Sequence, residues 1–385
     1  MERVLSLNEQ DLEKYDVEKL AFDSMAVVES KGEEVIKEIK EAELLSRDGR
    51  KIFIGNYMEE VAKYTGSKEV VLHIGNSKLD NGLASSNTYH LVQGLVLSAK
   101  AVKASKVSIF INESHQLISR MLKLTIKQMG KMGYFKAKEL KIDIIDVDEK
   151  NIFFNNDIAL LTNYKENLSH GRYPFLEAKN TWQQSKLFIA NVETLINISL
   201  IVENGSSWFK TMGEADNYGC KVFYVNNGQE GCLVTMELGS NFEELIKKAS
   251  ERINIPNLYA INVGGSLGGV LTEEQLKTTK IDYATSKKEG FLLGASPVEV
   301  IEDKKRLTEL IVNSVQHNSQ QSCGKCSTCR EGLKRMGDLV PAVFEGERDK
   351  VKLVELFAKA IKDSSLCGFG NKAINPIMAS LQHKE

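Results

Sequence analysis

The spacing of four cysteines constrains this chain more than any other feature of its sequence. Cys323-Gly324-Lys325-Cys326-Ser327-Thr328-Cys329 is a C-x2-C-x2-C run, and Cys367 follows after 37 intervening residues, in Ser365-Leu366-Cys367-Gly368-Phe369-Gly370. Three thiolates at that pitch can wrap one corner of a compact inorganic cube, and a distant fourth completes the ligand set of an iron–sulfur cluster. Structural zinc usually takes two separated C-x2-C knuckles, a pattern the middle cysteine does not suit. Zinc and a set of four merely structural buried cysteines remain as alternative readings. A 4Fe-4S core held by four thiolates is a net anion, and Lys325, Arg330, Lys334 and Arg335 lie close by in sequence. Unit charges 4 Å apart interact by about 4 kcal/mol at an effective dielectric near 20, enough to bias a reduction potential.

The remaining composition narrows the partners. Lys and Arg number 50 against 52 Asp and Glu, a net charge of −2 with no long run of one sign, so nucleic acid is not an expected partner. The segment Met1 to Glu9 lacks the apolar stretch of a signal peptide, and a cytoplasmic location is expected. The longest mainly apolar stretch, Leu91 to Val102, is interrupted by Gln93, Ser98 and Lys100, whereas a membrane span needs about 20 largely apolar residues. No membrane span is expected. Cys220 and Cys232 have no third ligand nearby and read as small buried apolar residues. The six histidines form no metal-binding pair, and none is assigned a role.

Length and pattern give an α/β chain of several parts. Residues 8 to 47 read as amphipathic helices, and Lys51 to Ile54 and Glu69 to Ile74 read as strands. A helix from Thr88, a strand from Lys106, a helix from Leu117 and a strand from Lys141 then alternate, which argues for a parallel sheet with covering helices. Asn191 opens a helix that ends near Gly205. Short strands at 221–225, 232–237 and 258–263 flank a helix at 241–251, as in a small α+β module. Gly264 to Gly269 reads as a flexible connector. From Thr308 the pattern is a helical bundle, with breaks expected at Gly337, Pro341, Gly368 and Pro376. The implied segments are 1–50, 51–215, 216–300 and 301–385.

The stretch Gln321-Ser322-Cys323-Gly324-Lys325-Cys326-Ser327-Thr328-Cys329-Arg330-Glu331-Gly332 resembles the E-S-C-G-x-C-T-P-C-R-E-G signature of the NADH-binding flavoprotein subunits. That family includes subunits of respiratory complex I, NAD-dependent formate dehydrogenase and electron-bifurcating hydrogenase. Ser365-Leu366-Cys367 with Pro376 is similar to its fourth cluster ligand and following helix. Asn191-Val192-Glu193-Thr194-Leu195, followed by Gly205 and Trp208-Phe209, resembles its N-N-V-E-T-L segment and G-x-x-W-F ending. His90 to Gly94 is similar to its P-H-x-L-I-E-G helix, and Val263 to Ser266 to the P-G-G-S loop after its β-grasp module. The resemblance covers residues 70 to 385 and implies a Rossmann-like parallel-sheet domain, a small β-grasp module and a C-terminal helical bundle carrying one 4Fe-4S cluster on Cys323, Cys326, Cys329 and Cys367.

Three departures bear on the cofactors that the resemblance implies. No G-R-G-G-A-G-F-P flavin loop precedes Val70, where Lys51 to Ser67 offers only Gly55 and Gly66. The acidic loop after the first strand is here Gly75 to Gly82 without adjacent carboxylates. The C-G-E-E-T-A-L segment becomes Asn155 to Leu160, without its glutamates. Asn191 corresponds to an asparagine on the flavin side and reads equally as a helix N-cap. The expected function is an iron–sulfur electron-transfer subunit without its own FMN or NADH site. The alternatives are an active FMN-dependent NADH dehydrogenase subunit and a zinc-stabilised, redox-inert scaffold. A relay needs a donor and an acceptor, and the chain carries no second ferredoxin-like cysteine set, so partners bearing iron–sulfur or flavin centres are expected, with residues 8 to 47 as a docking element.

Overall fold

A computed structural model describes residues 32–147, 187–294, 297–322, 324–365 and 368–382. They form two compact units, one of residues 32–147, 187–222 and 235–239, the other of residues 223–234 and 240–382. The expected helices before Gly32 and the Asn155 to Leu160 segment lie outside the described residues.

The first unit is built on strands β1 (Glu69–Ile74), β2 (Lys106–Asn112), β3 (Lys141–Val147) and β4 (Leu187–Ile189) in the order β3-β2-β1-β4, every neighbouring pair parallel. Val70 aligns with Val107 and Phe188, and Val107 with Ile142. β1 and β2 are almost wholly buried, as strands covered on both faces must be. Around them lie helices α1 (Gly32–Glu41), α2 (Ile54–Lys63), α3 (Lys78–Ser86), α4 (Thr88–Val102), α5 (Gln116–Lys131) and α6 (Val192–Asn204). The apolar face of α1, Val35, Ile36 and Ile39, is buried inside this unit, so this part of the expected docking element serves the core.

One expected strand is replaced. Within Lys51 to Ile54, Phe53 makes a single antiparallel bridge to Leu45, and Ile54 then opens α2. The buried positions Ile54, Tyr57, Met58 and Val61 follow the helical period, which prevails over the β-branched run before them.

In the second sheet, β5 (Cys220–Asn226), β6 (Gly231–Glu237), β7 (Ala260–Val263), β8 (Gly269–Thr272) and β9 (Val298–Ile301) take the order β8-β7-β9-β5-β6. β7 is antiparallel to β8 and β9, whereas β9 is parallel to β5, giving the mixed pairing of a β-grasp-like module. Helix α7 (Phe242–Ser250) packs Phe242 against the rings of Phe223 and Phe291, with centroids 6.4 and 5.2 Å away. A further helix, α8 (Tyr283–Glu289), precedes β9.

The Gly264 to Gly269 segment is not a free connector. It contains a 3-10 turn, Gly265–Leu267, whose carbonyls at Ser266 and Leu267 accept from Asn318 Nδ2 at 2.6 Å and Asn375 Nδ2 at 3.2 Å. Two side chains from distant helices thereby supply the order that the glycines alone do not.

The C-terminal helices are α9 (Lys304–Gln321), α10 (Ser327–Phe344), α11 (Val351–Ser364), α12 (Gly368–Ala373) and α13 (Asn375–Gln382). α10 runs through two of the four expected breaks, Gly337 and Pro341. Pro341 forfeits one intrahelical bond, toward the carbonyl four residues back, while burial of Leu333, Met336, Val340 and Val343 holds the helix on its core. Among the described residues no helix is long and apolar enough to cross a membrane.

Candidate metal centre and nucleotide crevice

The cysteine site is assembled at the start of α10. Cys326 is the N-cap residue, with extended backbone angles, and its carbonyl accepts the Arg330 N–H at 3.0 Å. Cys329 lies in the first turn and is buried in the core shared by α9, α10, α11 and α13. Both thiols therefore sit where uncompensated helical N–H groups favour negative charge. Cys323 and Cys367 lie outside the described residues.

Hydroxyls surround this end of the helix. Ser322 Oγ is 3.6 Å from Cys329 Sγ and accepts the Gly324 N–H at 3.4 Å. Ser364 Oγ donates to Thr328 Oγ1 at 2.7 Å, tying the end of α11 to the first turn of α10. Ser365 Oγ is buried and has no hydrogen-bond partner among the described residues. A Cβ added to Gly370 would fall 2.1 Å from that hydroxyl and 3.5 Å from Cys329 Sγ, so a side chain there would fill the cradle that both atoms face. Sequence spacing pointed to the thiols and missed these serines, since a serine beside a cysteine carries no distinctive signal.

The positive charges are arranged differently from their sequence order. Arg330 donates through Nη1 to the Gly324 carbonyl at 2.5 Å and pairs with Glu331 at 2.8 Å, so it clamps the loop around the cysteines. Its hydrogen bond holds the Glu331 carboxyl below the usual carboxylate range. Lys325, Lys334 and Arg335 are exposed. Thiols at a helix N-terminus, a buried hydroxyl without a partner and a glycine-lined cradle fit an anionic sulfur cluster.

In the first unit, the strand order reverses between β1 and β4, and crevices at the carboxyl ends of strands at such a point are where α/β sheets bind ligands. Ser77 Oγ caps α3 by accepting from Asp80 N, and Asn191 Oδ1 caps α6 by accepting from Thr194 N at 3.2 Å and Thr194 Oγ1 at 2.5 Å. Asn191 thus occupies the N-cap position, and its Nδ2 is buried with no partner among the described residues.

The turn from Ser46 to Arg50 lies against this same end. Arg47 N donates to Thr194 Oγ1 at 2.9 Å, and its buried guanidinium donates to the carbonyls of Cys220 at 2.9 Å, Leu45 at 3.0 Å and Tyr218 at 2.8 Å. Arg50 pairs with Asp48 and reaches the Ile189 carbonyl, at the end of β4, at 3.2 Å. Gly55 is no phosphate-loop glycine, for a Cβ there would lie 2.7 Å from Lys40 N and its bareness serves the packing of α2 on α1. A cavity of about 340 Å³ in this unit is lined by His90, Glu193, Asn197 and Trp208 among others, and by no residue of the Ser46–Arg50 turn.

One chain thus combines a parallel α/β sheet, a mixed-sheet module and a helical bundle that carries the cysteine run. Residues 309–384 match the family described as NADH-ubiquinone oxidoreductase-F iron-sulfur binding region. The chain is 25% identical over 368 residues to an NADH-quinone oxidoreductase subunit of Rhizobium meliloti (strain 1021), covering 91% of this chain and 87% of that protein. It is 24% identical over 314 residues to the NADP-reducing hydrogenase subunit HndC of Solidesulfovibrio fructosivorans, covering 79% of this chain and 64% of that one. The crystal structure of an NAD+-reducing nickel–iron hydrogenase in the H2-reduced state superposes with a TM-score of 0.80 at 20% identity, over 97% of this chain and 64% of that chain. This chain thus spans just under two thirds of the length of the latter two proteins. The match to the iron–sulfur family is confined to residues 309–384, and over most of its length the chain is similar to NADH-quinone oxidoreductase subunits at 23–25% identity.

Proposed function

We propose that the chain is an iron–sulfur electron-transfer subunit of a multi-subunit oxidoreductase, in which Cys323, Cys326, Cys329 and Cys367 hold one 4Fe-4S cluster and no FMN or NADH site is built. The observation that carries this reading is the placement of Cys326 on the cap and Cys329 in the buried first turn of α10, inside the region that matches the iron–sulfur family. A bound cluster supplies one-electron transfer. The chain's own residues present thiolates at a helix N-terminus, exclude water on the core side of Cys329 and clamp the ligand loop through Arg330. Thiols of this kind stay reduced in the cytoplasm, where we place the protein.

Support for a flavin-free subunit comes from the switch point. The turn beside Asn191 is filled by the Arg47 and Arg50 networks and offers no glycine-rich run of N–H donors to a phosphate. Charge-assisted hydrogen bonds contribute roughly 1.5–3 kcal/mol each, so three missing donors weaken flavin binding by about 4.5–9 kcal/mol. The electron donor and acceptor then reside on partner subunits carrying iron–sulfur or flavin centres, in keeping with the subunit names of the relatives.

Anaerobic reconstitution followed by metal, sulfide and flavin analysis tests the reading. About four iron and about four sulfide per chain, without flavin, are expected. Stoichiometric zinc without sulfide makes the chain a scaffold, and one flavin per chain that NADH reduces makes it an NADH dehydrogenase subunit.

A further inference from the structure

Ser322 Oγ accepts the Gly324 N–H at 3.4 Å, which leaves its own proton for the sulfur of Cys329 at 3.6 Å. A thiolate ligand has no proton to return, so the direction of this bond is fixed from Ser322 to Cys329 once a cluster is held. Ser365 adds an independent observation. Burying a hydroxyl without a partner is unfavourable, yet Ser365 Oγ is buried, lacks a partner among the described residues and faces the Gly370 cradle beside Cys329 Sγ. The other nearby serine, Ser364, is already bonded to Thr328 Oγ1 and the Ala360 carbonyl, so the orphan is specific to Ser365.

We propose that Ser322 and Ser365 are positioning residues whose hydroxyls donate hydrogen bonds to sulfur at the cluster, Ser322 to the Cys329 thiolate and Ser365 into the buried Gly370 cradle, and so hold the reduction potential up. This inference rests on the cluster assignment made above. The physical reason is that reduction adds negative charge, and a donor aimed at sulfur stabilises the reduced form more than the oxidised one. The serines neither ligate the metal nor carry the electron; they set the potential at which it is accepted.

The test uses the full-length reconstituted protein, with Ser322→Ala, Ser365→Ala and the hydroxyl-retaining Ser322→Thr and Ser365→Thr. Redox titration followed by electron paramagnetic resonance is expected to show each alanine variant about tenfold more oxidised at a fixed potential, equivalent to a midpoint lowered by about 59 mV for a one-electron couple. Iron and sulfide contents are expected to stay at parental levels, and the D2O-sensitive shift of the Fe–S stretching bands is expected to shrink. If an alanine variant loses its cluster while the threonine variant keeps cluster and midpoint, the hydroxyl role stands. Alanine variants with full cluster and unmoved midpoints overturn the inference alone, as does loss of the cluster in both alanine and threonine variants. A parent chain that takes up zinc and no sulfide overturns the cluster assignment together with the inference.

Discussion

Glu193 and Lys221 form an ion pair closed to solvent, with side-chain exposures of 3% and 0%. Glu193 stands in the first turn of α6 and Lys221 in β5, and the second Glu193 oxygen accepts the Val222 N–H at 2.7 Å while Lys221 Nζ also donates to the Val222 carbonyl at 2.8 Å. Every strong polar group of the pair is satisfied, which is the condition under which a buried pair is tolerable.

Removing one partner leaves a buried charge. Glu193→Gln is expected to destabilise the protein by about 3–5 kcal/mol, and the double variant Glu193→Gln with Lys221→Met to recover most of that loss. Urea denaturation of the two single variants and the double variant checks this. Equal losses in all three would show that the pair contributes through packing alone.

The Ser46–Arg50 turn has an acid signature. Burial raises the Asp48 carboxyl, but the charge and hydrogen bonds of Arg50 outweigh it and hold the group below its ordinary 3.8. A carboxyl depressed on folding stabilises the native state above its unfolded value, and that contribution disappears as pH falls through the lowered native value. Asp48→Asn is therefore expected to cost about 1.5–3 kcal/mol near neutrality, with the gap to wild type closing below about pH 4. Denaturation midpoints across that range report it, and a gap that persists in acid removes Arg50 as the cause.

His90 titrates in a separate window. Burial pushes its imidazole down to about 4 from the ordinary 6.5, although Gln93 opposes the shift and the Glu203 carboxylate lies 3.6 Å from Nδ1. The ring is neutral at pH 7, donating from Nδ1 toward Ser199 Oγ at 3.2 Å, because Ser199 in turn donates to Gln93 Oε1 at 2.5 Å. The native state resists protonation that the unfolded chain accepts, so stability is full above 6.5 and falls by about 3 kcal/mol as pH drops toward 4. His90→Gln is expected to flatten that slope. Unfolding measured at about pH 7 and about pH 4.5 in both proteins distinguishes the outcomes.

Ligation at the metal centre is also folding energy. On the proposed cluster assignment, Cys326→Ala is expected to abolish iron binding and to lower the melting temperature of the reconstituted protein to that of the apoprotein, because a ligand at the N-cap position that Cys326 occupies would tie the cluster to the start of α10. Cys232→Ala, in half-buried β6 where burial raises the thiol, is the control and is expected to leave iron content unchanged. Parental iron in Cys326→Ala would assign the ligand elsewhere.

Short-range pattern was enough to read much of this protein. β-branched runs marked β1, β2 and β3, helical spacing marked α4, α5 and α6, and cysteine pitch marked Cys326 and Cys329 at one helix start. These features depend on residues a few positions apart, for which side-chain periodicity is a direct physical consequence of backbone geometry. Where two local signals competed, as at Ile54 or Pro341, burial in the assembled core chose between them.

What only the tertiary structure decided are contacts whose partners are remote in the chain. Arg47 closes its turn on the Tyr218 and Cys220 carbonyls 171 and 173 residues away, and Asn318 orders a glycine loop 52 residues back. The Ser365 hydroxyl and the Cys329 sulfur both border a space that a side chain at position 370 would fill and Gly370 leaves open. A sequence names the donors and acceptors, but which of them share a buried cradle depends on chain folding that brings distant segments within hydrogen-bond reach, where an unpaired polar atom has no water to turn to.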